Sequence, residues 1–111
     1  MAEYSRSGFL GKETGGLFSG TVHQRWFILS GERRTLEWLK KPSSTKASGV
    51  ISLDNCTVRN NDAKKHKFCF EIAHETRRTF YLYASDALSR DQWAQAILVT
   101  QSQKTDPNAV H

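Results

Sequence analysis

Lys12, His23 and Arg25 are the residues with the most to offer chemically in this chain of 111 residues. His23 and Arg25 alternate with Gln24 in a run that reads as extended, which puts both on one face. Lysine supplies a compact ammonium, and arginine a planar fork that gives two parallel hydrogen bonds to one phosphate. Histidine donates from both ring nitrogens once it is protonated. Held on neighbouring strands, where little side-chain entropy remains to be lost, such a set suits a phosphate ester. The bland alternative makes Lys12 and Arg25 solvated strand-end charges and His23 a neutral ring bonded within the fold.

Strand alternation has to position these groups. Residues 8–13 place Leu10 and Lys12 on one face, and residues 22–30 place His23, Arg25, Phe27 and Leu29 together, so the cations sit where a core meets its rim. Residues 35–40 align Leu36, Trp38 and Lys40. Beyond the break at Pro42, Ser43 and Ser44, residues 49–53 and 56–60 read as two more strands. Residues 67–73 alternate Phe68, Phe70 and Ile72 against Cys69 and Glu71, and residues 79–84 alternate Phe80, Leu82 and Ala84 against Tyr81 and Tyr83, whose parity is outward. The period then changes. Ser85 and Asp86 can cap a helix, along which Trp93, Ala96, Ile97 and Thr100 recur at helical spacing. The expectation is a mainly β domain of seven strands over residues 8–100, its open end plugged by one C-terminal helix, with flexible flanks at 1–7 and 101–111.

Composition narrows the function classes. Sixteen Lys and Arg against eleven Asp and Glu leave +5, a surplus that favours an anionic partner without choosing among membrane, phosphorylated ligand and nucleic acid. The longest apolar run, 26–29, is far below the ~20 residues of a spanning helix, and neither a signal peptide nor a lipid-anchor motif is expected. Two cysteines, Cys56 and Cys69, show no zinc spacing and fit a reducing, cytoplasmic setting. No phosphate-binding glycine loop or nucleophile elbow appears, so neither catalysis nor a cofactor or metal is expected. Nucleic acid is disfavoured because Phe68, Phe70 and Phe80 have core parity rather than forming a stacking platform.

The order of these fragments resembles a pleckstrin homology (PH) domain over nearly the whole chain. Gly8-Phe9-Leu10-Gly11-Lys12 resembles the family's first strand, Arg25-Trp26-Phe27-Ile28-Leu29 its second and Gly49-Val50-Ile51-Ser52-Leu53 its fourth. Phe80-Tyr81-Leu82-Tyr83-Ala84-Ser85-Asp86 followed by Gln92-Trp93-Ala94-Gln95-Ala96-Ile97 is similar to its last strand and helix, with Trp93 as the signature tryptophan. The resemblance implies a partly open seven-stranded barrel of two nearly orthogonal antiparallel sheets, capped at one corner by the helix. It also implies, for some members, a mouth that binds phosphoinositide headgroups. Lys12 and Arg25 match the residues that carry this function. His23 stands where a basic residue is common, Trp38 where a tyrosine often stands, and Ser48 where an arginine can stand.

The candidate headgroup set is therefore Lys12, His23, Arg25, Trp38 and Lys40, joined by Arg77 from the last hairpin. Leu17 and Phe18, in a loop with Gly15, Gly16 and Gly20, form a candidate membrane-inserting pair, with folding back onto the domain as the alternative. One buried side chain of this kind is worth roughly 1.5–3 kcal/mol, against about 1 kcal/mol per basic residue near an anionic leaflet. Lys64, Lys65, His66 and Lys67 form the densest charge run, and Arg33 and Arg34 read as solvated turn residues. The leading expectation is a monomeric targeting module, held reversibly at the cytosolic face of a membrane. The alternative is a protein-interaction domain of the same fold, taking a peptide or a small GTPase. With an ordinary histidine pKa of about 6.5, vesicle binding is expected to strengthen from pH roughly 7.5 to 6 as His23 gains its proton. Liposome sedimentation checks this: His23→Lys should flatten the dependence, and equal binding by the unmodified chain at both ends of the range would contradict it.

Overall fold

The computed structural model describes residues 5–14, 20–64 and 66–102. Seven strands precede one helix: β1 (Ser5–Glu13), β2 (Val22–Ser30), β3 (Thr35–Leu39), β4 (Gly49–Ser52), β5 (Cys56–Asn60), β6 (Cys69–His74), β7 (Phe80–Tyr83) and α1 (Ala87–Ser102). The strands are antiparallel, in the order β4-β3-β2-β1-β7-β6-β5, and the two ends of that order are not joined. The two expected sheets thus form one continuous sheet. β1 makes the join, pairing along its whole length with β2 and then, through Gly11 and Lys12, with Tyr83 and Leu82 of β7.

Alternation sends Leu10, Phe27, Leu29, Leu36, Ile51, Phe70, Ile72 and Leu82 into one core, each at most 2% exposed. α1 closes one end of that core. Asp86 caps it by accepting the Ser89 N–H at 2.7 Å, and the helix buries Trp93, Ala94, Ala96, Ile97 and Thr100. The Gln101 amide donates to the carbonyls of Cys56 (2.6 Å) and Leu53 (3.0 Å), tying α1 to the start of β5. Near the start of β1, the Arg6 guanidinium lies 4.9 Å from the centre of the Trp93 ring. At about 3.3 Å per residue, β1 then runs from the helix end of the barrel to Lys12 at the opposite mouth.

Three local expectations are corrected. β1 starts at Ser5 and pairs from there, so the ordered domain reaches into the expected flank. β6 starts at Cys69, because Phe68 adopts a left-handed φ of 62° that breaks the extended run. Tyr83 is not outward: it is 6% exposed, as is Glu71, and Cys69 is fully buried. The segment after β5 covers this face. Asn61 donates to Glu71 at 2.9 Å, Lys64 reaches Glu13 at 3.2 Å, and the His66 ring meets Tyr83 edge-on. Arg59 supplies a second donor to Glu71 at 2.8 Å.

The Tyr83 hydroxyl donates to the Glu13 carboxylate within this cover. Burial first, and then that hydrogen bond, drive the Tyr83 phenol well above its ordinary pKa. Burial likewise raises the Cys69 thiol to about 11, so it stays protonated and unreactive at neutral pH. Tyr83→Phe is expected to cost about 1.5–3 kcal/mol, the range for a hydrogen bond to a charged partner. Urea unfolding measures it, and a change below about 0.5 kcal/mol would show that the bond contributes little.

Candidate anion-binding mouth

Five of the six predicted headgroup residues line one hollow. Lys12, His23, Arg25, Trp38 and Lys40, together with Thr14 and Ser48, surround a space of about 170 Å³. The register explains the gathering: Lys12 lies directly across from His23, and Leu10 from Arg25, so the ammonium and the guanidinium occupy diagonal positions on the inner face. Trp38 arrives on the same face opposite Phe27.

Aromatic rings hold Lys12 in place. Its ammonium lies 4.7 Å from the centre of the Trp38 ring and 5.7 Å from that of Phe80, and the two rings are 5.8 Å apart. Gly49 is what lets Trp38 lie here, since a side-chain carbon at that position would collide with the indole. Burial first, then the nearby charges of Arg78 and Arg25, push the Lys12 pKa below its ordinary value. The fold thus crowds cations around a partly desolvated ammonium.

The described residues that line this hollow include no carboxylate. Glu13, the next residue along β1, points to the other face, where Lys64 and Tyr83 take its charge. Arg25 spends one donor on the Gln24 carbonyl at 2.8 Å and has further N–H groups to offer.

Arg77 does not join the set. It lines a larger hollow of about 690 Å³ between the β4–β5 and β6–β7 turns, alongside Asp54, His74 and Glu75. Those two carboxylates make that space a poor receptor for phosphate. Arg78 is the hairpin residue near the mouth: its guanidinium lies 4.5 Å from the Phe80 ring centre, and its charge acts on Lys12. Parity could have found it, because Arg78, Phe80 and Leu82 alternate onto one face and Arg77 onto the other. Phe80 is legible only as core, yet its ring also lies beside the Lys12 ammonium.

Other cations have duties elsewhere. Lys64 of the dense basic run sits 3.9 Å from the Tyr81 ring centre as well as on Glu13, and Arg34 pairs with Asp54 at 3.0 Å rather than being only solvated. Lys65, and the candidate inserting pair Leu17 and Phe18, lie outside the described residues.

A sequence profile described as the PH domain matches residues 4–101. The chain belongs to the PH domain family. It is 28% identical over 98 residues to human connector enhancer of kinase suppressor of ras 1, a match covering 88% of this chain and 13% of that protein. It is 33% identical over 97 residues to mouse Sesquipedalian-1, covering 86% of this chain and 35% of that protein. The chain therefore spans only a minor part of these relatives. Among solved structures, the PH domain of human TBC1 domain family member 2 superposes with a TM-score of 0.81 at 19% identity, over 100% of this chain and 93% of that one. The C-terminal PH domain of pleckstrin, in complex with D-myo-Ins(1,2,3,4,5)P5, gives 0.75 at 24% identity, over 86% of this chain and 96% of that one. No described helix is long and apolar enough to cross a membrane.

Lys12→Met tests whether the caged ammonium serves binding rather than folding. The thioether keeps contacts with Trp38 and Phe80 while removing a desolvated charge from beside Arg25 and Arg78. The melting temperature is expected to hold or rise. A fall of more than about 8 °C, which corresponds to at least 1 kcal/mol in a domain of this size, would instead make Lys12 a structural residue.

Proposed function

We propose that this PH domain recruits its parent protein to a membrane by taking the phosphate of an inositol phospholipid headgroup in the mouth lined by Lys12, His23, Arg25, Trp38 and Lys40. One observation carries the reading: Lys12 and Arg25 line one hollow whose described lining has no carboxylate, while the neighbouring Glu13 is neutralised on the opposite face. An anion is the partner that relieves this arrangement. Arg25 gives the paired hydrogen bonds, Lys12 the point charge over the ring floor, and His23 a donor that strengthens on protonation. Arg78 adds to the field from the β6–β7 hairpin. The inositol pentakisphosphate in complex with the similarly folded C-terminal PH domain of pleckstrin supports this class of ligand.

The role is recruitment rather than chemistry, reversible and at the cytosolic face. Leu17 and Phe18 belong to the proposal as a shallow wedge that adds apolar burial to the electrostatic contact. Such a wedge resists salt better than diffuse attraction, which decays over about 8 Å at physiological ionic strength.

Vesicles of fixed net charge, with and without phosphoinositide, provide the test. Arg25→Ala is expected to weaken binding to the phosphoinositide vesicles about tenfold or more, the scale of a lost charge-assisted hydrogen bond. Arg77→Ala should leave it unchanged. Leu17→Ser with Phe18→Ser should make the remaining binding more salt-sensitive. Equal binding to both vesicle types, or equal loss in the Arg25 and Arg77 variants, would contradict recognition at the mouth.

A further inference from the structure

The two halves of the sheet treat their outer faces differently. Outside β6 and β7, the chain covers itself: Asn61, Lys64 and His66 lie over Glu71, Glu13 and Tyr83. Outside β1 to β4, the alternation places Phe9, Trp26, Ile28, Leu39 and Val50 on a face where a half-solvated antiparallel sheet ordinarily carries polar residues. Phe9 is 55% exposed and Val50 54%. Phe9 and Trp26 are cross-strand partners with ring centres 4.9 Å apart, and Leu39 lies directly across from Trp26. Leu39 is only 6% exposed, so the open part of this face is Phe9, the half-buried Trp26 and Ile28, and Val50, an apolar surface of the kind that marks an interaction site.

Two further observations identify the occupant. The first is charge. In a chain of net +5, the described outward positions of β1 to β4 carry no Lys or Arg, and Glu37 sits between Ile28 and Val50 in the register. An anionic bilayer would be repelled here, and a second copy of the chain would bring another Glu37 without a cation. The matching surface is apolar with a positive charge.

The second is the sheet edge. α1 ties down β5 through Gln101 and through Asp91, which meets Asn60 at 3.4 Å. β4 is the other end of the sheet, pairs among the described strands with β3 alone, and reads Gly-Val-Ile-Ser, without the charge or proline that blunts an edge. The Leu53 N–H bonds to the Arg34 carbonyl, which makes that rung a bonded one and, by alternation, turns the main-chain groups of Val50 and Ser52 outward. The Ser52 carbonyl accordingly meets the His74 ring at 2.7 Å.

We infer that β4 accepts an added strand from a partner protein, an extended segment of alternating apolar residues with one arginine or lysine directed at Glu37. The added strand pairs with Val50, its apolar side chains extend the outer face beside Val50, and its cation reaches over Val50 across two strand spacings of roughly 5 Å each. This site lies on the opposite face of the sheet from the mouth and does not depend on lipid binding there.

The probe is a pair of blocked decapeptides alternating valine and threonine, one with a central arginine and its twin with glutamate. Their binding is followed by amide and indole shifts of the isotope-labelled domain. The arginine peptide should shift Glu37, Val50, Ile51 and the Trp26 indole, and bind roughly twofold to fivefold tighter than its twin, the range of a cross-strand ion pair. Glu37→Arg should invert that order. Val50→Pro removes an N–H that the ladder alternation turns away from β3, and should abolish peptide binding while leaving the melting temperature and vesicle binding unchanged. Should Val50→Pro unfold the domain, Phe9→Ser with Val50→Thr replaces it and should weaken the peptide about tenfold. Equal affinity for the two peptides, shifts confined to α1 or the mouth, or a concentration-dependent dimer abolished by Phe9→Ser would each overturn the proposal.

Discussion

An ammonium group caged by aromatic rings and crowded by other cations sets the character of this domain. Lys12 is held over Trp38 and Phe80 and acted on by Arg25 and Arg78, and the described residues lining its hollow include no carboxylate. Consecutive residues of a strand face opposite ways, so Lys12 and Glu13 never meet, although they are neighbours in sequence. The fold keeps them apart by giving Glu13 its own partners, Lys64 and Tyr83, on the far side of the sheet.

Much of the remaining structure supports that separation. β1 is the strand both halves of the sheet share, so its alternation governs the mouth on one face and the Glu13 cluster on the other. Gly49 leaves room for the Trp38 indole, and α1 closes the core at the end away from the mouth. Crowding cations around a partly buried ammonium costs stability, and local strain or like-charge repulsion of this sort is tolerated where binding requires it.

The elements and most of the mouth were legible because both rest on period-2 alternation, the most local signal a strand offers. Lys12, His23 and Arg25 were assigned to one face by counting residues, and the register places them on one face. What counting could not show was long-range cover. Cys69, Glu71 and Tyr83 have outward parity yet are buried, because a segment distant from β7 in sequence folds across them. Arg78 is different in kind: it shares the parity of Phe80, as Arg77 does not, so the same residue counting points to it. The left-handed Phe68 that delays β6 has no signal in residue type, since a bulky aromatic is among the residues least suited to that conformation.

The most direct test is a titration of the isotope-labelled domain with a soluble, short-chain phosphoinositide, followed through the Lys12 side-chain ammonium and the Trp38 indole. Saturable shifts of both, at the same ligand concentration and with Arg25 among the perturbed residues, are the predicted result. Shifts confined to Lys64, His66 and Lys67, with Lys12 and Trp38 unmoved, would contradict it.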